Sequence, residues 1–309
     1  MLILLITALL TGMLFPIQTA ANARMRASVG PAFVATFIAF SVSSLVLCGV
    51  SLLCGMVILP TAAQISTVPW WGWTGGIIGL CTITATIYLF KALGQLQTII
   101  LPLLGQLLFS LVIDHFGLFG SVRIPLSALR VFAMFLLISG VLLVVVVPNL
   151  SKNKVGQPAI GSHILLWQIT GVVTGCLMAS IGAIYGRLGV CLGSAVQASA
   201  VSFLIATVII AAFCVGSGKI HCVRKALSKQ TPWWMWLAGV FGAIAVFCNA
   251  WLIPQIGAGA FFMALLLGQM SLSLLMEGRG WMGAMKRKIT PVQFVGIALM
   301  IIGVAMIRL

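Results

Sequence analysis

The sequence predicts an all-α integral membrane protein with ten transmembrane helices arranged as two inverted five-helix repeats. Three observations predict it. The 309 residues are 62% hydrophobic and only 6% charged, whereas a soluble globular domain is about a quarter charged. The apolar residues fall into runs of about 20, the length that crosses a hydrocarbon core of about 30 Å at about 1.5 Å per residue. The chain also repeats itself without a gap at an offset of 163 residues. Pro69-Trp70-Trp71-Gly72-Trp73 returns as Pro232-Trp233-Trp234-Met235-Trp236, Gly105-Gln106 as Gly268-Gln269, Ser110 as Ser273, Gly117 as Gly280 and Gly140 as Gly303. Thr11-Gly12, Arg24 and Gly30 return as Thr174-Gly175, Arg187 and Gly193, and the only two acids, Asp114 and Glu277, share the same offset.

The first run, 2–21, leads into Ala21-Asn22-Ala23, which resembles a signal-peptidase site. It has no basic segment ahead of it, and residues 164–186 copy it in mid-chain, so a retained helix is expected. Runs 32–59, 69–90, 95–113 and 128–147 complete the first repeat, residues 1–147; the long 32–59 run must tilt or protrude. Residues 148–162, with Lys152 and Lys154, read as a polar cytoplasmic linker. The second repeat, 163–309, supplies runs 164–184, 194–215, 232–253, 258–276 and 291–307. Five crossings is an odd number, so consecutive copies cross in opposite senses, which defines an inverted repeat.

Charge sets the expected orientation. Arg24, Arg26, Lys91, Lys152, Lys154, Lys219, Arg224, Lys225, Lys229, Arg279, Lys286, Arg287 and Lys288 fall on the side reached after the first helix. Arg123, Arg130, Arg187 and Arg308 fall on the other. Basic loops stay cytoplasmic, which puts both termini outside the cytoplasm; most of the bias comes from the second half. The net charge of +15 lies between spans rather than along one face, which argues against nucleic acid. The eight cysteines have no paired spacing, and His115, His163 and His221 are scattered. No metal or other cofactor is expected. The tryptophan clusters read as interfacial anchors. Gly72/Gly76, Gly75/Gly79 and Gly171/Gly175 have the small-xxx-small spacing of close helix contacts.

Two polar stripes stand out. Gln106, Ser110 and Asp114 follow one another at four-residue intervals, and Gln269, Ser273 and Glu277 do the same. Four residues turn a helix face by only about 40°, so each trio lines one face for about 12 Å. A polar stripe belongs against protein or a watered cavity rather than lipid. The glutamines then reach similar depth from opposite membrane faces, and each acid sits at a mouth. Helix one adds Gln18 and Asn22, one turn apart beyond Pro16; their counterparts, Ile181 and Tyr185, are not amides. The plainer reading of the amides and serines is interhelical hydrogen bonding, worth about 0.6 kcal/mol each. For the acids it is an ion pair, with Arg123 or Arg130 for Asp114 and Arg279 or Lys286 for Glu277.

Taken together, Pro69-Trp70-Trp71-x-Trp73-x-Gly75-Gly76, Gly105-Gln106-x3-Ser110-Leu111-x2-Asp114-His115-Phe116-Gly117, Arg130 and Pro16-x-Gln18-x3-Asn22 resemble the YdcZ family of inner-membrane exporters. That family lies within the drug/metabolite transporter superfamily. The resemblance spans nearly the whole chain, which corresponds to a fused two-repeat form, and it implies a bacterial inner membrane and small-solute transport. It is sharper in the first half, since Pro16, Asn22, His115 and Arg130 become Ala179, Tyr185, Gly278 and Gln293. More distantly the chain is similar to small multidrug-resistance proteins, but helix one here carries no acid.

The expectation is therefore a secondary transporter, not an enzyme, that exports a small metabolite or amphipathic compound by alternating access. Its cavity is framed by Gln106, Gln269, Gln18, Asn22, Ser110 and Ser273, with Asp114 and Glu277 as gate or coupling residues. The alternative is a non-transporting scaffold, partner subunit or lipid-handling protein, with Lys286-Arg287-Lys288 on anionic lipid. Membrane lipids are expected partners in either case. The sequence leaves proton coupling and homodimerisation open.

Overall fold

The computed structural model describes residues 1–55, 57–146, 164–226, 232–283 and 290–306, and all regular structure among them is helical. The expected linker 148–162 lies outside the described residues, as do Lys229, Lys286-Arg287-Lys288 and Arg308. The long helices are α1 (Leu2–Val29), α2 (Ala32–Leu53), α3 (Gly75–Phe116), α4 (Ala128–Val145), α5 (Ile164–Leu192), α6 (Ala195–Gly216), α7 (Leu237–Ile256), α8 (Ala258–Arg279) and α9 (Pro291–Met306). Among the described residues, eight helical stretches are long and apolar enough to cross a membrane; α9 is apolar but shorter.

The repeat visible in the letters is repeated in the backbone. α2 and α6 begin and end at matching positions, and the tryptophans form matching 3-10 turns, Trp70–Trp73 and Trp233–Trp236. Left-handed backbone recurs in matched pairs: Gly30 and Gly193, Gly55 and Gly218, Gly117 and Gly280, and the non-glycines Phe119 (φ 56°) and Met282 (φ 54°). Phe119 and Met282 are different side chains in the same rare conformation, so the fold of the repeat dictates it rather than local preference.

Three expectations change in the described structure. The run 32–59 stops being helical at Leu53, and a short helix, Ala62–Thr67, follows. It starts on a reciprocal cap in which Thr61 Oγ accepts from Gln64 N–H and Gln64 Oε1 accepts from Thr61 N–H, the S/T-x-x-Q device that meets two orphan donors at once. The run 164–184 extends to Leu192. The runs 69–90 and 95–113 join in one helical stretch of 42 residues, α3. A straight helix of that length would rise about 63 Å. Yet Gly75 packs on Tyr185, and Gly120, just past the far end, packs on Arg187. Both ends of α3 therefore lie near one end of α5, and the stretch bends back between them.

Small residues set the packing. A Cβ on Gly12, Gly105, Gly175 or Gly268 would overlap the carbonyl oxygen of Leu265, Val172, Pro102 or Leu9 respectively. Backbones touch there, α1 on α8 and α3 on α5, and in lipid such close approach supplies the contact energy. Equivalent residues also meet one another. The Phe40 and Phe203 rings stand edge to face at 5.2 Å, and the Ser44 and Thr207 hydroxyls bond at 2.9 Å. Phe33 meets Phe213, so α2 and α6 run antiparallel. Gly140 meets Gly296, and Gly303 meets Ala133, so α4 and α9 do likewise. α8 holds the centre, with every residue from Ala258 to Gly268 buried.

Candidate functional site

α1 continues through Pro16, although a proline inside a helix removes one donor and strains the turn before it. One face of the following turn carries Gln18 and Asn22. The Gln18 amide lies against Gly242, where a Cβ would come within 3.0 Å of Nε2, so the missing side chain makes its room. Asn22 lines a crevice between α1, α2 and α7 with Ala39, Val42, Met235, Trp236 and Gly239. The nearby Ser43 hydroxyl is already occupied, at 2.6 Å from the Gly239 carbonyl and 2.9 Å from that of Ala39. Gln18 Oε1 and Asn22 Oδ1 are both buried without a hydrogen-bond partner. Turning either amide over puts an NH₂ in the same place, so each still presents a polar end without a partner. Buried polar groups are nearly always paired, and here two exceptions lie one turn apart on one face of α1.

The stripe residues divide. Ser110 is fully buried, and its hydroxyl donates 2.7 Å to the Leu107 carbonyl of its own helix. Gln106, Gln269 and Ser273 are half-buried. No hydrogen bond among the described residues joins the two glutamines to each other or to Gln18. Of the glycines with small-xxx-small spacing, Gly75 and Gly76 pack on α5 and α6, Gly171 and Gly175 pack on α3, and Gly79 faces open space.

Asp114 is 0% exposed and sits at a junction between the repeats rather than at a watered mouth. Its Oδ1 accepts from Ala258 N–H at 2.7 Å and its Oδ2 from Gly259 N–H at 3.0 Å. The first-repeat carboxylate thereby caps the N-terminus of second-repeat helix α8, where orphan donors and the positive end of the helix dipole favour an anion. Arg130 Nη1 stands 3.6 Å from Oδ2, the ion pair expected from sequence. Arg123 instead donates to the His115 carbonyl. The seat requires its glycines, since a Cβ at Gly257 or Gly259 would come within 2.9 Å of the carboxylate. Gly257 also turns the chain at φ 82° between α7 and α8. Sequence reasoning missed this cap, although Pro254 followed by Gly257-Ala258-Gly259 is a helix-break signal inside an apolar stretch.

The second repeat keeps the acid and loses its setting. Glu277 is half-buried and forms no ion pair among the described residues. The counterpart of Gly259 is Leu96 and that of Arg130 is Gln293. Gln293 caps its own helix at Thr290 N–H and donates to the Val144 carbonyl. Arg279, one expected partner, lies over the Trp281 ring at 4.9 Å; the other, Lys286, is outside the described residues.

The halves differ in one further respect. On α5, Gly182, Gly186 and Gly189 fit against Asn249, Ile253, Pro254 and Ala250 of α7. Their counterparts on α1, Thr19, Ala23 and Arg26, are exposed. One repeat is zipped along a seam that the other leaves open.

Comparison with known proteins agrees with this architecture. A family model described as "Putative inner membrane exporter, YdcZ" matches residues 3–143 and again 166–306. A crystal structure of a protein 17% identical in sequence superposes with a TM-score of 0.64, covering 97% of this chain and 95% of that one; at that identity the likeness is one of fold. None of the curated proteins matches significantly. Matched once in each half, the chain belongs to the YdcZ family of inner-membrane exporters.

Proposed function

We propose that the chain is a secondary transporter that exports a small, neutral or weakly polar metabolite or amphipathic compound by alternating access. The observation that carries this reading is the Gln18–Asn22 pair, two half-buried amides one turn apart on α1, each with a buried oxygen that has no hydrogen-bond partner. Asn22 lines the α1–α2–α7 crevice and Gln18 lies beside Gly242 of α7. A solute bearing N–H or O–H groups fits such a pair. No acid lies on α1, so a multivalent cation does not. Gln106 and Gln269, half-buried on the helices that cross α5 and α1, are the second rank of cavity residues, with Ser273 beside Gln269. Ser110, bonded to its own helix, supports the wall.

The topology in this reading is ten spans in two inverted repeats, with both termini outside the cytoplasm. The antiparallel meeting of equivalent helices, α2 with α6 and α4 with α9, supports the inversion. The bend that returns α3 to the same end of α5 supports counting it as two spans. Rocking of one repeat against the other would open each face in turn, and the half that is zipped differs from the half that is open, as such a mechanism needs. Asp114 joins the repeats where α3 meets the start of α8 and acts there as a gate residue; Glu277, with no matching seat, is the weaker candidate for coupling.

The test is purified protein in liposomes against a panel of neutral, acidic and basic solutes, read as saturable uptake or exchange. Wild type is expected to move at least one solute. Gln18→Ala and Asn22→Ala are each expected to cut that rate at least about tenfold, the loss of one buried hydrogen bond to the solute, with unchanged insertion and melting. A protein that moves nothing, or variants that match wild type, would remove the proposal.

A further inference from the structure

Arg24 and Arg187 are matched across the two repeats, and no function described above uses either. Arg187 lies on α5 where it passes the loop that follows α3, and its guanidinium rests on Gly120. A Cβ there would meet Cδ and Nε at 3.0 Å and Cζ at 3.3 Å. Its Nε is buried and has no hydrogen-bond partner. The next residue along the loop, Ser121, has a buried hydroxyl oxygen that also lacks one. The loop holding them is shaped by left-handed backbone at Gly117, Phe119 and Gly120, and Phe119 is packed edge-on to Trp71 at 5.5 Å.

Among the described residues no acid pairs with this arginine. The chain contains two acids. Asp114 is held by Ala258, Gly259 and Arg130, and Glu277, on α8, forms no ion pair with Arg187 among the described residues. Arg187 is half-buried; its guanidinium stays charged at any physiological pH, and a buried N–H donor such as its Nε is normally met by an acceptor. Its Nε–Nη edge matches two oxygens of one carboxylate or phosphate, and a serine hydroxyl from the loop supplies a third donor.

We propose that Arg187 and Ser121, beside Gly120, form a second binding site, distinct from the Gln18–Asn22 pair, that takes an oxyanion: a carboxylate or a phosphate. Two sources carry that group, a free solute anion and the phosphate of an anionic lipid headgroup. Arg24 is the matching residue in the other repeat, but it is exposed. The enclosed seat therefore exists on one side, and the two halves differ in anion binding as they do in helix packing.

The experiment is thermal unfolding of the purified full chain in a neutral detergent. Inorganic phosphate, acetate or short-chain phosphatidylglycerol is added, with chloride at equal ionic strength as the baseline. At least one of the three is expected to raise the midpoint by about 5 °C near saturation. A rise with phosphate or acetate identifies a solute anion; a rise with phosphatidylglycerol alone identifies the lipid. Arg187→Gln is expected to abolish the rise and Arg24→Gln to retain it. Ser121→Ala, which leaves the charge in place, is expected to raise the half-saturating concentration about tenfold, and it decides the matter if Arg187→Gln does not fold. The proposal is overturned if no anion exceeds the chloride baseline, if Arg187→Gln keeps the rise, or if Ser121→Ala binds as wild type does.

Discussion

Asp114 and Glu277 began as a matched pair and end with unequal settings. Asp114 satisfies two backbone donors of α8 and one arginine, so deleting it leaves all three unmet in a buried place. Asp114→Ala is expected to cost about 3–5 kcal/mol, the usual penalty for breaking a buried pair from one side, measured as unfolding in detergent. Asp114→Asn keeps one carbonyl oxygen and should cost less. Gly259→Ala should be destabilising too, because its Cβ pushes on the carboxylate. Glu277→Gln, at a half-buried position, is expected to stay within about 0.5 kcal/mol of wild type. If Asp114→Ala melts as wild type does, the capping role is wrong. The pairing with Arg130 was legible in the sequence because sign and proximity in the chain point to it. The cap was not, because its donors are backbone groups 144 and 145 residues away that become available only where Gly257 breaks the helix.

Among the elements, glycine at a crossing and glycine on a free face look identical as letters. Gly175 touches the backbone of α3, whereas Gly79 has open space where its side chain would be. Gly175→Ala is therefore expected to disturb the α3–α5 contact, with an overpacking cost of at least about 1–3 kcal/mol. Gly79→Ala should be neutral or slightly stabilising, since alanine is the better helix former. Thermal stability and monodispersity of the two variants check this, and equal behaviour would contradict the assigned crossings. Most helices were legible from apolar run length alone. Their ends were less so, for physical reasons: the apolar run continues past Leu53 into 54–59, whose described residues are not helical, and Thr61-x-x-Gln64 starts a short helix that hydrophobicity does not mark. The residues 91–94 carry too weak a break to interrupt α3, while their counterparts at Pro254–Gly257 do interrupt α7 and α8.

At the scale of the whole molecule, the duplication was legible but its asymmetry was not. Matching letters predict matching halves, and the difference between a closed α5–α7 seam and an exposed α1 face arises only when the halves pack. A pair of label positions tests whether that difference is a state of a moving protein. Val190 and Trp251 flank the closed seam, and Ala27 and Tyr88 are their counterparts; all four are exposed. Spin labels at 190 and 251 are expected to be close where those at 27 and 88 are farther apart, with the order reversing in a share of molecules when a transported solute is added. Fixed distances in every condition would argue for a static scaffold. The contact between Ser44 and Thr207 then acquires a different meaning. Each residue is the other's counterpart, so exchanging the conformations of the two repeats maps this pair onto itself. Its separation is the same before and after such an exchange, which makes it a fixed origin against which every other movement in the protein can be measured.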